Sequence, residues 1–219
     1  MDLQSGMQID GPMKLTVTNL AGERGGETVF SDVGFSLNGG EALVITGPNG
    51  SGKSTLLRVI AGLLPIASGA IDFDDGNLYP DFDGGVSPLT SMLHYLGHQN
   101  AMKPALSVEE NLAFWRSQMG QPHLDIAEAL EMVGLDEVGH LPFGYLSTGQ
   151  RRRIAIAKLL VSYRPIWLLD EPTAGLDKRS EVQFTKLMQA HCADGGIIIA
   201  ATHIPLGLDA AELQLPGEE

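Results

Sequence analysis

The sequence contains little cysteine and few basic residues. Its one cysteine, Cys192, cannot form an internal disulfide, and this favours a reducing compartment. Lysine and arginine number 14 against 27 acidic residues, which gives a net charge of -13. Because a chain of this charge repels a phosphodiester backbone, nucleic acid is not expected as a partner.

Long apolar runs are also missing. The longest, such as residues 197–201, fall far short of the ~20 residues that a membrane-spanning helix needs, so no segment is expected to cross a bilayer. Residues 1–12 lack the basic region and the apolar stretch of a secretory signal. We expect a loosely ordered extension over residues 1–13, one folded unit over 14–215 and a short tail over 216–219.

Apolar periodicity predicts an α/β fold. Two β-rich runs, residues 14–20 and 30–37, flank a glycine-containing turn at 22–26 and predict a small antiparallel sheet near the N-terminus. Further on, apolar strands alternate with helices, and this alternation is typical of a parallel sheet. The strands predicted for that sheet include 42–46, 166–170 and 196–202, and the helices beside them are 54–64 and 151–161.

A stretch in the middle of the chain has helical periodicity. Ser107 and Glu110 have the spacing of a capping box, in which each side chain binds the other residue's backbone N–H at a helix start. Apolar residues recur at three- and four-residue intervals over 108–119 and again over 124–133. These helices predict a helical subdomain of about residues 103–160.

An acidic, glycine-rich stretch, residues 69–91, has the composition of a calcium loop but not its spacing. An EF-hand loop needs glycine at position six and glutamate at position twelve. Counted from Asp72, those positions hold Asn77 and Asp83. The stretch is therefore predicted to be a hairpin edge with solvated turns.

The strongest motif lies between the strand at 42–46 and the helix that follows it. The motif fits G-x-x-x-x-G-K-S/T, whose glycines let successive backbone N–H groups turn inward around phosphate oxygens. Lys53 is expected to reach the outer phosphates and Ser54 to offer its hydroxyl to Mg²⁺. A glycine-rich turn without a ligand is the alternative, and the strand-to-helix context disfavours it. The predicted ATP-binding residues are Gly47, Pro48, Asn49, Gly50, Ser51, Gly52, Lys53, Ser54 and Thr55.

Two carboxylates stand at the end of the apolar strand 166–170. Asp170, its last residue, is expected to support Mg²⁺, and Glu171 is expected to orient or deprotonate the attacking water. The alternative is a strand that simply ends in solvent. The presence of the phosphate loop favours the functional interpretation.

Gln99 and His203 also lie just past predicted strands, at 92–97 and 196–202. Ligands of parallel sheets bind at the edge where the carboxyl ends of the strands meet. Gln99 is therefore a candidate ligand of Mg²⁺ or water, and His203 a candidate contact of the γ-phosphate. Each residue alone would more often be an ordinary polar loop residue. His94, inside the first of these strands, is interpreted as structural.

A second helix start, Leu-Ser-Thr-Gly-Gln at 146–150, has two interpretations. Ser147 and Gln150 have capping-box spacing, which explains both residues. Three arginines follow in the first turn, where the helix dipole disfavours cations. A positive helix start with Ser147 and the free Gly149 amide suits a phosphate. Pairing of the arginines with nearby acids is the alternative.

Together the motifs resemble the ordered set of the ABC ATPases, the ATP-binding cassette family of P-loop NTPases, over roughly residues 14–215. The set comprises GPNGSGKST, Gln99, LSTGQ, IWLLDEP, AGLD and His203. This resemblance implies a parallel-sheet core with a small N-terminal antiparallel β-subdomain and an inserted helical subdomain. It also implies ATP and Mg²⁺ as cofactors and a head-to-tail dimer of two copies of the chain.

In such a dimer each ATP lies between the Lys53 loop of one chain and the LSTGQ segment of the other. The resemblance therefore implies catalytic roles for Glu171, His203 and Gln99, metal ligation by Ser54, Gln99 and Asp170, contacts in trans by Ser147, Thr148, Gly149 and Gln150, and communication across the dimer by Asp177. Two positions depart from the family. Thr148 stands where the signature more often has glycine, and Arg24 lies near where an aromatic residue usually stacks on adenine. A guanidinium also stacks on a base, so base selectivity stays open.

Residues 95–115, 146–160 and 164–177 give a finer resemblance, to the ATP-binding subunits of the haem exporters in bacterial cytochrome c maturation. It implies a peripheral subunit on the cytoplasmic face of the inner membrane, with integral membrane permease subunits as partners and a periplasmic haem chaperone as an indirect one. The chain lacks a C-x-x-C-H motif, so it is not expected to hold haem itself. The alternatives are the energy subunit of another small-substrate transporter and a soluble ABC ATPase that acts on ribosomes or DNA. The second alternative is disfavoured, since such proteins usually carry two cassettes or long helical arms.

Overall fold

Two β-sheets and five α-helices form the described part of the protein. The computed structural model describes residues 13–74 and 89–217. The strands are β1 (Lys14–Arg24), β2 (Glu27–Asn38), β3 (Ala42–Thr46), β4 (Ser68–Asp74), β5 (Leu93–Leu96), β6 (Ile166–Asp170), β7 (Ile197–Ala201) and β8 (Ala211–Gln214), and the helices are α1 (Lys53–Ile60), α2 (Val108–Met119), α3 (Ile126–Met132), α4 (Thr148–Val161) and α5 (Lys178–Ala193). The predicted α/β fold is confirmed.

The smaller sheet is antiparallel, with strand order β2-β1-β4. The hairpin between β1 and β2 turns at Gly25 and Gly26, both with positive φ. The predicted turn at 22–26 is therefore too long, because Gly22 still pairs with Phe30 inside the sheet. A Cβ on Gly22 would lie 2.5 Å from the Phe30 ring, so glycine is there to admit that ring and not to make a turn.

The larger sheet is parallel throughout, with strand order β5-β6-β7-β3-β8. All five strands therefore end on one side of the molecule, which we call the carboxyl edge. β3, which precedes the phosphate loop, lies inside the sheet between β7 and β8. β8 was not predicted, since it has only four residues and is mostly exposed, and so it lacks an apolar signal.

Each face of the parallel sheet has its own core. On one face Ile166 and Leu168 pack with α1 and the antiparallel sheet. On the other face Trp167 and Leu169 pack with α4, α5 and the residues of α2 and α3 that face them. Because β6 is buried on both faces, it reads as a continuous apolar run. Each fully buried side chain of this kind stabilises the fold by about 1.5–3 kcal/mol.

The helical segment between β5 and β6 contains α2, α3 and α4. The predicted capping box at the start of α2 is present, since Ser107 Oγ accepts the Glu110 N–H at 3.1 Å and the Glu110 carboxylate accepts the Ser107 N–H at 2.7 Å. Met13, expected in the loose extension, is 1% exposed, and its carbonyl accepts the Gly39 N–H. The folded unit therefore begins at least one residue earlier than expected.

Two further expectations concern membranes and the acidic stretch. Within residues 13–74 and 89–217 no helix is both long enough and apolar enough to span a bilayer. The first part of the acidic stretch forms β4, which pairs with β1. The rest of the predicted hairpin, residues 75–88, lies outside the described residues.

Candidate nucleotide site

The phosphate loop joins β3 to α1, as the motif predicted. Gly52, the N-cap residue of α1, has a φ of 88°, and a Cβ on it would lie 2.8 Å from Val29 Cγ1. Gly47 has a φ of 143°, and a Cβ on it would lie 2.6 Å from the Leu215 carbonyl oxygen. Glycine at both positions therefore lets the loop lie against β2 and against the segment that follows β8.

The start of α1 differs from the starts of the other long helices. Side chains of Ser107, Ser147 and Asp177 cap α2, α4 and α5. No side chain of the described residues caps α1, and its first turn contains no acidic residue. The first N–H groups of α1 are therefore available to an anion, which the helix dipole also favours.

Lys53 lies back over the loop. Its Nζ donates to the carbonyl oxygens of Gly47 and Pro48, each at 2.7 Å. An ammonium group has three N–H donors, so this arrangement leaves one for a ligand. The positive charge is thereby held at the uncapped helix start, where a phosphate would bind.

Asp170, at the end of β6, is fixed through both of its carboxylate oxygens. Ser54 Oγ donates to Oδ1 at 2.8 Å. Tyr95 on β5 donates its hydroxyl to Oδ2 at 3.3 Å, and Arg58 Nε donates to the Tyr95 oxygen at 3.4 Å. Burial raises the pKa of Tyr95, which keeps its hydroxyl a donor. Neither Tyr95 nor Arg58 was predicted from the sequence as a residue of the site.

The oxygens of Ser54 and Asp170 suit Mg²⁺. This ion prefers hard oxygen ligands and commonly takes one or two carboxylates together with substrate phosphates. The described ranges hold no group of three or more histidine, cysteine or acidic side chains placed to bind a metal. An ion held by Ser54 and Asp170 would leave further coordination positions for water or for oxygens of a nucleotide.

Glu171 and His203 meet at the carboxyl edge, just past β6 and β7. The Nδ1–H of His203 donates to Glu171 Oε1 at 3.1 Å, and Thr202 Oγ1 donates to Oε2 at 3.4 Å. The side chains of Glu171 and His203 are 27% and 72% exposed, so water reaches both. A carboxylate held in this way can accept a proton from a nearby water.

Gln99 lies in the loop three residues after β5 and is exposed. Since β5 neighbours β6, Gln99 is brought to the carboxyl edge as predicted. Within the described residues no hydrogen bond joins it to Ser54 or Asp170. Its role as a metal ligand therefore stays a prediction.

The LSTGQ segment forms the cap and first turn of α4. Ser147 Oγ accepts the Gln150 N–H at 3.2 Å, and Gln150 Oε1 accepts the Ser147 N–H at 2.9 Å, so the predicted capping box is present. Ser147 and Thr148 are exposed. A Cβ on Gly149 would lie 3.1 Å from the Gly175 carbonyl oxygen, which gives this glycine a packing reason as well.

The three arginines that follow bind backbone carbonyls. Arg151 donates to Gly144, and Arg153 donates to Val133 and Gly134. Arg152 is buried among carbonyls at the ends of β5 and β6. The expected alternative, pairing of these arginines with nearby acidic side chains, is therefore replaced by bonds to backbone carbonyls. Helix and strand ends leave carbonyl oxygens without backbone partners, so such acceptors are available.

Comparison with known proteins identifies the family. Residues 30–174 match the ABC transporter family. A protein of Mesorhizobium japonicum, called the cytochrome c biogenesis ATP-binding export protein CcmA, is 65% identical over 93% of this chain and 98% of its own. The protein of the same name from Chelativorans is 63% identical over 91% of this chain and 96% of its own.

The chain belongs to the ABC transporter family.

Solved structures agree with the ABC fold. An ABC transporter ATP-binding protein of Pyrococcus furiosus superposes with a TM-score of 0.76 at 25% identity, covering 92% of this chain and 97% of that one. The cbiO1 protein of Clostridium perfringens, part of an ABC transporter complex, superposes with a TM-score of 0.67 at 31% identity, covering 87% of this chain and 78% of that one. The chain is thus an ABC-type ATPase that binds nucleotide.

The ABC motifs fall into two groups in the structure. The phosphate loop, Asp170, Glu171, Gln99 and His203 share the carboxyl edge. The LSTGQ segment lies at the start of α4, and no hydrogen bond among the described residues joins it to the phosphate loop. One chain therefore shows no direct link between the two expected phosphate sites.

Two other predicted positions lie outside this edge cluster. Asp177 caps α5, where its Oδ1 accepts the Ser180 N–H at 2.8 Å, and this bond holds the pKa of Asp177 below its usual value. Arg24 is exposed at the tip of the β1–β2 hairpin, opposite Glu27. Val29, which lies against the phosphate loop, belongs to the same hairpin.

Proposed function

We propose that this chain is the ATP-hydrolysing subunit of an ABC transporter complex in cytochrome c biogenesis, and that its work supports haem export or release of a haem chaperone. The relatives named for cytochrome c biogenesis are 63–65% identical to this chain, and the match covers nearly their whole length. The proposed ATP hydrolysis is supported by the Glu171–His203 pair, which lies beside the Ser54–Asp170 pair at the carboxyl edge.

The proposed reaction is an in-line displacement at the γ-phosphorus. A water bound by Glu171 attacks the phosphorus, the bond to the bridging oxygen breaks, and the proton of the water passes to the Glu171 carboxylate. His203 keeps that carboxylate oriented through Oε1 and would also contact the γ-phosphate. Lys53 and the α1 N–H groups hold the phosphates.

Mg²⁺ would be held by Ser54 and Asp170, with Gln99 as a further ligand. When bound, the ion would neutralise charge on the phosphate oxygens during the transfer. The 2.8 Å contact between Ser54 Oγ and Asp170 Oδ1 supports this assignment, since it brings the two oxygens close enough to bind one ion. At the other end of the nucleotide, Arg24 is the candidate residue that stacks on the base.

The complete site is proposed to form in a head-to-tail dimer. Ser147, Thr148, Gly149 and Gln150 of one chain would bind the γ-phosphate held by the Lys53 loop of the other, and Asp177 would communicate between the two sites. The exposure of Ser147 and Thr148 and the uncapped phosphate-loop helix support this arrangement.

The proposed partners are integral membrane permease subunits and, indirectly, a periplasmic haem chaperone. The chain would then act peripherally on the cytoplasmic face of the bacterial inner membrane and would not bind haem itself. The names of the relatives, as export proteins, favour this over a soluble ABC ATPase acting on ribosomes or DNA. The energy subunit of another small-substrate transporter is the second candidate.

Glu171→Gln tests the catalytic proposal. The amide keeps the shape of the carboxylate but does not accept the proton, so we expect ATP binding to persist and turnover to fall roughly 100-fold or more. ATP binding and steady-state phosphate release measure the two effects. Glu137→Gln removes an exposed carboxylate in the loop between α3 and α4 and serves as the control. Near-normal turnover in Glu171→Gln would remove this residue from its role.

Purification from mild detergent tests the partner proposal. Recovery of small multi-span membrane proteins together with a haem chaperone is the expected result. Recovery with ribosomes would contradict it and favour the soluble alternative. Recovery with permease subunits but no haem-handling protein would favour another small-substrate transporter.

A further inference from the structure

Arg152 makes an unusual set of contacts for an arginine. It is 5% exposed, and its guanidinium donates to four backbone carbonyls in two different strand ends. Three acceptors belong to consecutive residues, the last residue of β6 and the two that follow it: Nε donates to Pro172 at 3.1 Å, and Nη2 donates to Asp170 at 3.0 Å and to Glu171 at 2.8 Å. Nη1 donates to Gly97, just past β5, at 2.8 Å.

A buried guanidinium is costly unless its donors are satisfied. Burial lowers the pKa of Arg152 to about 10, while the charges of Asp170 and Glu171 act in the opposite direction. The group therefore stays charged near neutral pH. Its planar fork of N–H donors suits several acceptors that lie in fixed directions, which a lysine does not match.

The backbone that Arg152 holds needs support. Glu171 has a φ of 43°, in the left-handed region that residues with a side chain rarely adopt. Its N–H donates to the Ala201 carbonyl at 2.9 Å, and its carbonyl accepts from Arg152. These two bonds fix both sides of the residue, and so they set where its carboxylate points.

Arg152 also connects three parts of the site. It belongs to α4, four residues after Thr148, the first residue of that helix. Through Gly97 it reaches the loop that carries Gln99 two residues later. Through the Glu171 carbonyl it reaches the residue whose carboxylate meets His203.

We propose that Arg152 is a positioning residue for ATP hydrolysis: its guanidinium holds the left-handed backbone of Glu171 and ties it to α4 and to the Gln99 loop. This inference rests on the proposed role of Glu171 as the base. Arg152 touches neither nucleotide nor water in this proposal. It acts through the carbonyls of β5 and β6.

The first test compares Arg152→Met and Arg152→Lys with Arg153→Met. Arg153 lies on the same helix turn and also binds two carbonyls, but not those of the carboxyl edge. We expect kcat of Arg152→Met to fall at least ~10-fold with KM for ATP within ~3-fold, since only positioning of the base is lost. Arg152→Lys should recover part of kcat. Arg153→Met should lose clearly less kcat than Arg152→Met.

The second test uses Glu171→Gln as the background, in the complex with its membrane partners. If Arg152 acts through Glu171, adding Arg152→Met to Glu171→Gln should lower the residual single-turnover rate by less than ~2-fold. Multiplied effects would overturn the inference, because they indicate a general structural role. If Arg152→Met fails to fold, judged by thermal unfolding, Arg152→Lys takes its place in the same cycle. Near-normal turnover in Glu171→Gln alone would instead overturn the proposed function.

Discussion

Single residues at the carboxyl edge are fixed by contacts that span most of the chain. Asp170 is held by Ser54, which lies 116 positions away, and by Tyr95, which lies 75 positions away. Ser54 could be predicted, since it belongs to a motif. Tyr95 lies inside a predicted strand four residues before Gln99, and a polar aromatic residue at that place was the available signal.

Tyr95→Phe tests the hold on Asp170. Loss of the hydroxyl frees Asp170 Oδ2 and leaves Arg58 Nε without its acceptor. We expect the Mg²⁺ concentration at half-maximal turnover to rise about 10-fold or more, from the loss of one hydrogen bond to a charged group, with kcat at saturating Mg²⁺ within ~2-fold. A Mg²⁺ titration of turnover measures this.

Tyr163→Phe is the matched control for Tyr95→Phe. Tyr163 lies beyond the end of α4, where its ring meets the edge of His123, and it is remote from the carboxyl edge. Loss of the Tyr163 hydroxyl should not alter the Mg²⁺ titration. An unchanged titration in Tyr95→Phe as well would show that Ser54 alone is enough to fix Asp170.

At the scale of elements, the sequence predicted best the strands that are buried on both faces and the helices that begin at a capping box. The strand at 166–170 was predicted at its observed bounds, since every residue of it is apolar or ends it. The short, exposed β8 was missed. The acceptors of Arg151, Arg152 and Arg153 could not be predicted, because carbonyl positions follow from tertiary packing and leave no trace in the residue types.

Helix α4 offers a test of the phosphate contact in trans. Ser147→Asp keeps an N-cap of equal quality but places a carboxylate where the partner chain's phosphate is expected, whereas Ser147→Asn keeps the cap without the charge. We expect both variants to unfold at temperatures close to wild type. Turnover should be lost in Ser147→Asp and largely kept in Ser147→Asn.

Mixing chains then distinguishes action in trans from action in cis. A Ser147→Asp chain has an intact Lys53 loop, and a Lys53→Met chain has an intact Ser147. Half of the dimers in an equal mixture contain both chains, with one complete site of two, so about a quarter of wild-type turnover is expected from independent sites. No recovery from two inactive parents would mean that Ser147 acts within its own chain.

At the scale of the whole molecule, two buried imidazoles link the sheet to its helices. His94 on β5 donates through Nε2 to the Ser162 carbonyl at 2.8 Å, as expected for a structural residue. His191 on α5 stacks on Trp167 at a centroid distance of 4.0 Å, and its Nε2 meets the Pro165 carbonyl at 3.1 Å. Both histidines are therefore neutral inside the core that α4 and α5 share with the sheet.

This arrangement predicts a loss of stability in mild acid. Burial lowers the pKa of His94 to about 3 and that of His191 to about 4. The unfolded chain binds protons at these positions below its ordinary pKa of about 6.5, but the folded chain does not. The contribution of these two histidines to the free energy of unfolding should therefore be flat above that value and fall below it, by roughly 2–3 kcal/mol between pH 7.5 and 5.5 from the two groups together.

Urea unfolding at several pH values measures this slope, and the chosen window lies above the range in which carboxylates titrate. His94→Gln removes one of the two buried imidazoles, so it should reduce the decrease between pH 7.5 and 5.5 by about half, whatever its effect on stability at pH 7.5. His140→Gln, at an exposed position, should leave the slope unchanged. An equal slope in His94→Gln and wild type would mean that His94 binds its proton in the folded protein, and the core around β5 would then have to admit a charge beside Lys158 and Arg164.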